Sequence, residues 1–288
     1  MYDVIIIGKG PAGLSAALYT VRANLKTLII ANGYGAAATT DKIDNYFGFA
    51  NTVSGLQLVK DTEILAKSLG GEFSEEEVTD ITMNYDDMSF KISTSNNSYS
   101  AKKVLLATGK NRVLPNIKGL KQFDGKGVSR CAVCDAFFYR GKSVAVLGSG
   151  SFALAEASEL LPVVGSITLY TNGKELESDE FTVDKRKIVE AYGDMKIQGF
   201  LMEDGQKVDF DGLFIAEGTP GGTEFGAKLG VMMKDGAVIT DQNGKTNVPG
   251  FYAAGDCVGT PYQISVAVGQ GALAAMAITS EIRNEKNK

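Results

Sequence analysis

Gly8-Lys9-Gly10-Pro11-Ala12-Gly13 stands between an apolar run, Val4–Ile7, and a stretch of small residues reaching about Ala23, after which a second apolar run, Lys26–Ala31, begins. A strand, a GxGxxG turn, a helix and another strand make the βαβ unit that binds dinucleotides. The glycines permit a tight turn, a close approach of backbone to a pyrophosphate and close packing of helix on strand, and the free N–H groups at the helix start attract the anion. The unit recurs. Ser143–Leu147 is an apolar run, Gly148-Ser149-Gly150-Ser151-Phe152-Ala153 is GxGxxA, Ala153–Leu161 reads as a helix and Ser166–Thr171 as the next strand. The expected class is therefore α/β, with two dinucleotide-binding (Rossmann-like) βαβ domains, the second inserted into the first. Glycine and proline cluster at Gly218–Gly222, and the crossings between domains are expected there and near Thr108-Gly109. Glu72–Glu77 and Ser93–Ser100 read as polar loops or turns, the second as a hairpin rim, and Arg283–Lys288 as a frayed end.

Chemistry is narrowed by what the chain lacks. It has no histidine and three cysteines, Cys131, Cys134 and Cys257. Histidine-assisted triads are excluded, and a closed structural zinc site needs four Cys or His ligands, so no metal is expected. No apolar run approaches the roughly 20 residues that span a bilayer. The start has no basic region ahead of its apolar residues, so no signal peptide is read, a cytoplasmic location is expected, and a CxxC there is more often catalytic or metal-binding than structural. No nucleic-acid or membrane partner is expected. The net charge of −5 is uneven: between Gly109 and Lys142 it is +6, leaving −11 elsewhere. That basic island carries "CAVCD", Cys131–Asp135.

Three blocks in order, "GKGPAG" (Gly8–Gly13), "CAVCD" and "GFYAAGDC" (Gly250–Cys257), resemble the low-molecular-weight thioredoxin reductase family over nearly the whole chain. Smaller echoes are "KIDNYFGF" (Lys42–Phe49), "LLATGK" (Leu105–Lys110) and "FFYRGKSVAVLGSG" after the cysteines. The resemblance implies an FAD domain, residues 1–111 with 242–288, around an inserted domain, 112–241, and a homodimer. It implies an FAD site from Gly8, Gly10, Pro11, Ala12, Gly13, Asn32, Asn45, Thr108, Gly109, Gly255, Asp256, Gln263 and Ile264. Asp256 is the ribityl partner, and the helix starting near Tyr262–Ile264 directs its positive end at the pyrimidine side of the flavin. The same resemblance makes Cys134 the sulfur beside the flavin, Cys131 the thiol that attacks the disulfide of thioredoxin, and Asp135 the proton shuttle. A two-residue spacer suits this exchange, because both sulfurs stay within reach of one another. Cys257 reads as a small buried filler.

The chain departs from the family pattern twice. An acid is expected near the end of the second strand, about 20 residues past the motif, to receive the adenosine ribose; here Ala31-Asn32 stands, and Asn32 becomes a neutral partner. The second unit ends its strand in "LYTNGKELESDE", with Lys174 and then Glu175, Glu177, Asp179 and Glu180 where members that use NADPH carry arginines for its 2′-phosphate. Phe152 puts a ring in the turn meant for a pyrophosphate, and only 86 residues separate Cys131 from Gly218. These departures resemble the ferredoxin-dependent flavin thioredoxin reductases, and the basic island suits an acidic ferredoxin, though it suits thioredoxin too, and a solvated lysine face equally. Three readings follow: a ferredoxin-fed thioredoxin reductase first, an NADPH- or NADH-fed one second, and a flavin-binding regulator with an idle disulfide third.

Overall fold

The structure is a computed structural model describing residues 1–109, 114–129, 132–217, 222–234 and 236–286, with the side chains at 133, 134, 222 and 223 outside the description. In chain order the elements begin β1 (Tyr2–Ile7), α1 (Pro11–Arg22), β2 (Thr27–Ile30), α2 (Gly55–Ser68), β3 (Glu72–Ser74), β4 (Val78–Asn84), β5 (Ser89–Thr94) and β6 (Ser98–Leu106). Next come β7 (Val128–Ser129), α3 (Ala132–Asp135), β8 (Ser143–Leu147), α4 (Ser151–Leu160), β9 (Ser166–Tyr170), β10 (Thr182–Asp184), β11 (Ile188–Gly193), β12 (Ile197–Met202), β13 (Lys207–Asp209) and β14 (Gly212–Ile215). The chain closes with α5 (Gly222–Lys228), β15 (Met233–Lys234), β16 (Ala237–Val238), β17 (Phe251–Ala253) and α6 (Ile264–Lys286). It divides into two compact units, Met1–Asn111 with Gly221–Lys288, and Arg112–Pro220.

The first unit is a sheet ordered β3-β2-β1-β6-β5-β4, with β17 also paired to β6. The β3, β2, β1, β6 and β17 ladders are parallel, and β4–β5–β6 is antiparallel. Parallel strands buried on both faces need continuous apolar runs. Accordingly Val4–Ile7, Leu28–Ile30 and Val104–Leu106 are all buried. One face packs Phe90, Phe251 and Cys257; the other packs α1 and α6 through Ala12, Ala16, Ala267, Ala274 and Ile278. Among the described helices α6 alone is long and apolar enough to cross a membrane, with a mean hydropathy of 1.2 over its best window. Its small residues serve a different contact. A Cβ on Gly271 would lie 2.1 Å from the carbonyl oxygen of Ala12, so glycine is what lets α6 press onto α1.

The second unit has a parallel sheet ordered β10-β9-β8-β14-β7 and a three-stranded antiparallel sheet, β11-β12-β13. Leu147, Tyr170, Phe200, Phe210 and Leu213 form one core cluster; Ala132, Val146, Phe152, Ala157 and Phe214 form another.

Three expectations are corrected. The implied return to the first domain at 242 is too late: Phe225, Val231 and Val238 are buried in the first unit's core with Ile5, Ile81 and Phe251, so 222–241 belongs there. Truncating Phe225 would cost about 3–5 kcal/mol of that core. Glu72–Ser74 is not a loop but the edge strand β3, in parallel register with Leu28–Ile30; an edge strand faces water and need not look apolar. The charged end is helical through Lys286 because Ile282 is buried and Lys103 bonds Glu281 and Glu285.

Candidate functional site

β1 delivers the chain into its glycine turn, and α1 starts at Pro11, where the fixed φ suits the first helical position and no hydrogen bond is lost. A Cβ on Gly13 would fall 1.9 Å from the Gly8 carbonyl oxygen, and one on Gly8 would fall 2.3 Å from that of Ala107. A Cβ on Gly10 would meet nothing within 4 Å. The turn is thus closed on the protein side and open in front of Gly10, where Ala12 is buried and the first N–H groups of α1 have no side-chain cap. That is a cradle for a phosphate anion.

The parallel strands β6 and β17 end side by side and bring Thr108, Gly109, Gly255 and Asp256 to one edge of the sheet. Thr108 and Gly109 follow β6, with Gly109 at φ 78° and open space before it. The hydroxyl oxygen of Thr108 is buried and has no hydrogen-bond partner among the described residues. Gly255 and Asp256 follow β17; Gly255 holds φ 83° and its N–H donates to the Gln270 side chain at 2.9 Å. The Asn45 amide donates to the Gln263 side-chain oxygen at 3.3 Å, and Ile264 opens α6. An open glycine cradle, an orphaned buried hydroxyl and a long helix starting beside them fit FAD. Gly8–Gly13 would hold its pyrophosphate, and Asp256 and the start of α6 its flavin end. Cys257 is a free, buried thiol whose Sγ donates to the Ala254 carbonyl at 3.2 Å. Burial pushes its pKa up to about 12, so it stays a thiol.

Asn32 is exposed, and sequence reasoning missed the charged cluster around Lys9 of the glycine turn. Lys9 is 4% exposed, bonds Glu75, lies 3.4 Å from Glu63 on α2 and sits 4.1 Å from the centre of the Tyr34 ring. Burial raises the Glu63 pKa, but hydrogen bonds from Lys67 and Tyr34 and the charge of Lys9 reverse this and hold it below the usual range. The carboxylates absent from the end of β2 therefore enter this corner from α2 and from the segment after β3. A lysine inside the glycine turn was the available signal, since a buried ammonium requires acidic company.

In the second unit Cys131 lies outside the described residues, as does the side chain of Cys134. Asp135 ends α3 and is partly buried; burial first, and the charges of Asp135 and Asp211 second, raise the Tyr139 pKa. The backbone N–H of Ala132, between the two cysteines, donates at 2.8 Å to Glu156 on α4, a carboxyl only 2% exposed. Phe137 and Phe138, just past the motif, are 69% and 67% exposed. Phe152 does not obstruct its turn: it is 1% exposed and points into the core with Ala132 and Val146. At the end of β9, Asn172 turns inward, accepting the Ile188 N–H at 2.9 Å. Because β10 pairs parallel with β9, Lys185 and Arg186 arrive at the same edge, cations that strand-by-strand reading missed. Three are paired: Lys174 bonds Glu217, Lys185 bonds Glu175 at 2.6 Å, and Arg186 bonds Asp184 at 2.5 Å and Asp204 at 2.7 Å, while the exposed Lys187 side chain runs past Gly173 with no ion pair among the described residues.

Residues 2–271 match the family described as pyridine nucleotide-disulphide oxidoreductase. The chain is 35% identical to the thioredoxin reductase of Treponema pallidum, covering 99% of both, and 32% identical to that of Aquifex aeolicus, covering 99% of this chain and 95% of the relative. Among solved structures it is similar to an atypical thioredoxin reductase from Desulfovibrio vulgaris Hildenborough (39% identity, TM-score 0.87, 99% of both chains). It is also similar to a ferredoxin-flavin thioredoxin reductase from Clostridium acetobutylicum (30% identity, TM-score 0.68, 98% of both chains).

Proposed function

The chain belongs to the pyridine nucleotide-disulphide oxidoreductase family, as an FAD-dependent thioredoxin reductase, and on that premise we propose that its electrons come from reduced ferredoxin in preference to NADPH. One observation carries the choice of donor. The arginine at the ends of β9 and β10, Arg186, is bound to Asp184 and Asp204, and Lys174 and Lys185 are bound to Glu217 and Glu175, so a 2′-phosphate arriving there finds no unengaged guanidinium and only the exposed ammonium of Lys187 beside Gly173. To gain a bidentate guanidinium contact it must break an existing pair, or else forgo charge-assisted bonds of about 1.5–3 kcal/mol each. Two forgone contacts weaken affinity by roughly 10²- to 10⁴-fold. Glu177, Asp179 and Glu180 nearby add repulsion. Further support comes from the likeness to the ferredoxin-flavin enzyme of Clostridium acetobutylicum and from the +6 stretch, which suits an acidic donor.

FAD, when bound, accepts electrons from the donor and releases a pair to a disulfide. In the proposed roles, Asp135 takes the proton of Cys131, the resulting thiolate attacks one sulfur of the thioredoxin disulfide, and the other leaves as a thiolate that takes that proton back from Asp135. Cys134 then passes its proton to Asp135 and attacks the Cys131 sulfur, which re-forms the Cys131–Cys134 bond and frees the second thioredoxin sulfur to take that proton. Thioredoxin gains two electrons and two protons, and the enzyme pair loses as many. The exposed Phe137 and Phe138 supply apolar surface beside the motif for that partner.

Anaerobic stopped-flow bleaching of the flavin with each donor is the test. Reduced ferredoxin should bleach it quickly, more slowly as salt rises and screening shortens to about 10 Å at 0.1 M. Fast bleaching by micromolar NADPH, with none by ferredoxin, would reverse the choice.

A further inference from the structure

Glu156 is a buried carboxyl that the exchange chemistry leaves without a task. It projects from α4 into an apolar cluster containing Ala132, Ala136, Val146, Phe152 and Ala157, and is 2% exposed. Placing a carboxyl there costs desolvation, which hydrogen bonding must offset. One of its oxygens accepts the Ala132 N–H at 2.8 Å. Ala132 is bonded covalently to Cys131 and lies two residues before Cys134, so this side chain grips the backbone of the redox motif itself.

We propose that Glu156 is a positioning residue that keeps the Cys131–Cys134 couple strongly reducing. Two effects act in one direction. The Ala132 N–H, held by Glu156, is unavailable to either sulfur, and backbone N–H groups are among the donors that stabilise thiolates. The carboxyl oxygen also presents negative electrostatic potential to the motif, which disfavours an adjacent thiolate. A dithiol couple becomes oxidising when its reduced form is stabilised; withholding that stabilisation keeps it able to give electrons to thioredoxin. In this account Glu156 acts through the backbone, by its bond to the Ala132 N–H.

The inference rests on Cys131–Cys134 being the exchange disulfide, and the experiment separates the two claims. Oxidised wild-type holoenzyme, unfolded and alkylated, should show one free thiol, Cys257; three free thiols would sink the disulfide reading and the inference with it. The holoenzyme and its Glu156→Ala and Glu156→Gln variants are then equilibrated in dithiothreitol redox buffers and the disulfide fraction is read by alkylation and mass. Glu156→Ala should shift the exchange equilibrium about tenfold toward the dithiol, close to 30 mV for a two-electron couple. Glu156→Gln keeps the volume and an acceptor oxygen for Ala132 and should shift it less, by about threefold, with FAD content unchanged. If Glu156→Ala does not fold, the glutamine variant decides alone. Wild-type equilibria in the folded variants, or a shift toward the disulfide, would overturn the proposal, even if turnover fell.

Discussion

Gly10→Ala and Gly13→Ala make the same chemical change three residues apart and should fail in opposite ways. Gly10 has φ −78° and ψ −174°, backbone that alanine adopts without strain, and its Cβ would meet no atom within 4 Å. Replacing glycine where the backbone allows it gains about 0.4–1 kcal/mol by restricting the unfolded chain. Alanine is a poorer N-cap than glycine by a comparable amount, so the two nearly cancel and the apoprotein should keep its stability within about 1 kcal/mol. What the methyl does occupy is the open space before the first turn of α1, where the pyrophosphate would be held on the proposed assignment. Losing two charge-assisted N–H contacts, at about 1.5–3 kcal/mol each, weakens FAD by roughly 10²- to 10⁴-fold. Gly13→Ala instead drives Cβ to 1.9 Å from the backbone oxygen of Gly8, which cannot move without opening the turn. That variant should lose more than about 3 kcal/mol, with or without FAD. Denaturant midpoints of the apoproteins and flavin absorbance of the purified proteins give both readings. Gly10→Ala that bound FAD as tightly as wild type, or that unfolded as readily as Gly13→Ala, would refute the assignment of the cradle.

Phe137→Ser and Phe138→Ser remove exposed apolar surface and should raise the KM for thioredoxin about tenfold, with flavin reduction and thermal midpoint unchanged; an unchanged KM would remove these rings from the docking surface. At Glu281 burial favours the neutral acid, but bonds from Lys103 at 2.7 Å and from Tyr252 prevail and hold the pKa at about 2, down from 4.5. A lowered folded-state pKa stabilises fully above the unfolded value and is lost as pH falls through the folded one. Glu281→Gln should therefore cost about 2–3 kcal/mol at pH 7, a gap that closes between pH 5 and 2 in urea titrations; a gap constant across that range would refute the coupling.

The cradle was legible because its causes are local. Val4–Ile7 must be a strand buried on both faces, and Gly13 answers a contact with Gly8 inside the same βαβ unit, whereas the contact of Gly8 with Ala107 comes from β6. Even Thr108 and Asp256, far apart in sequence, could be placed, since each follows an apolar strand of the same sheet. β3 was not legible, because a three-residue edge strand needs no apolar pattern and exists through its pairing with β2. Phe152 misled for a related reason: its position in the turn was clear, but the direction of its side chain is set by the core behind α4. Glu156 carried no signal in the sequence, since its burial and its bond to the Ala132 N–H arise only in the folded chain.

The corner after β9 shows where counting charges fails. Read along the chain, it offered Lys174 and a run of acids, and the deficit of cations seemed to be the obstacle to a phosphate. With β10 laid parallel beside β9, Lys185 and Arg186 are added, and the corner no longer lacks positive charge. The obstacle is commitment. Arg186 already forks onto Asp184 while its other nitrogen reaches Asp204, using the geometry that a phosphate would need. Such pairing is invisible to a sum, because an arginine free for a ligand and one spent on its neighbours contribute the same charge. The proposed choice of donor therefore rests on the ion pairs of the folded edge. Adding cations along this strand should do less for NADPH than releasing the ones it holds.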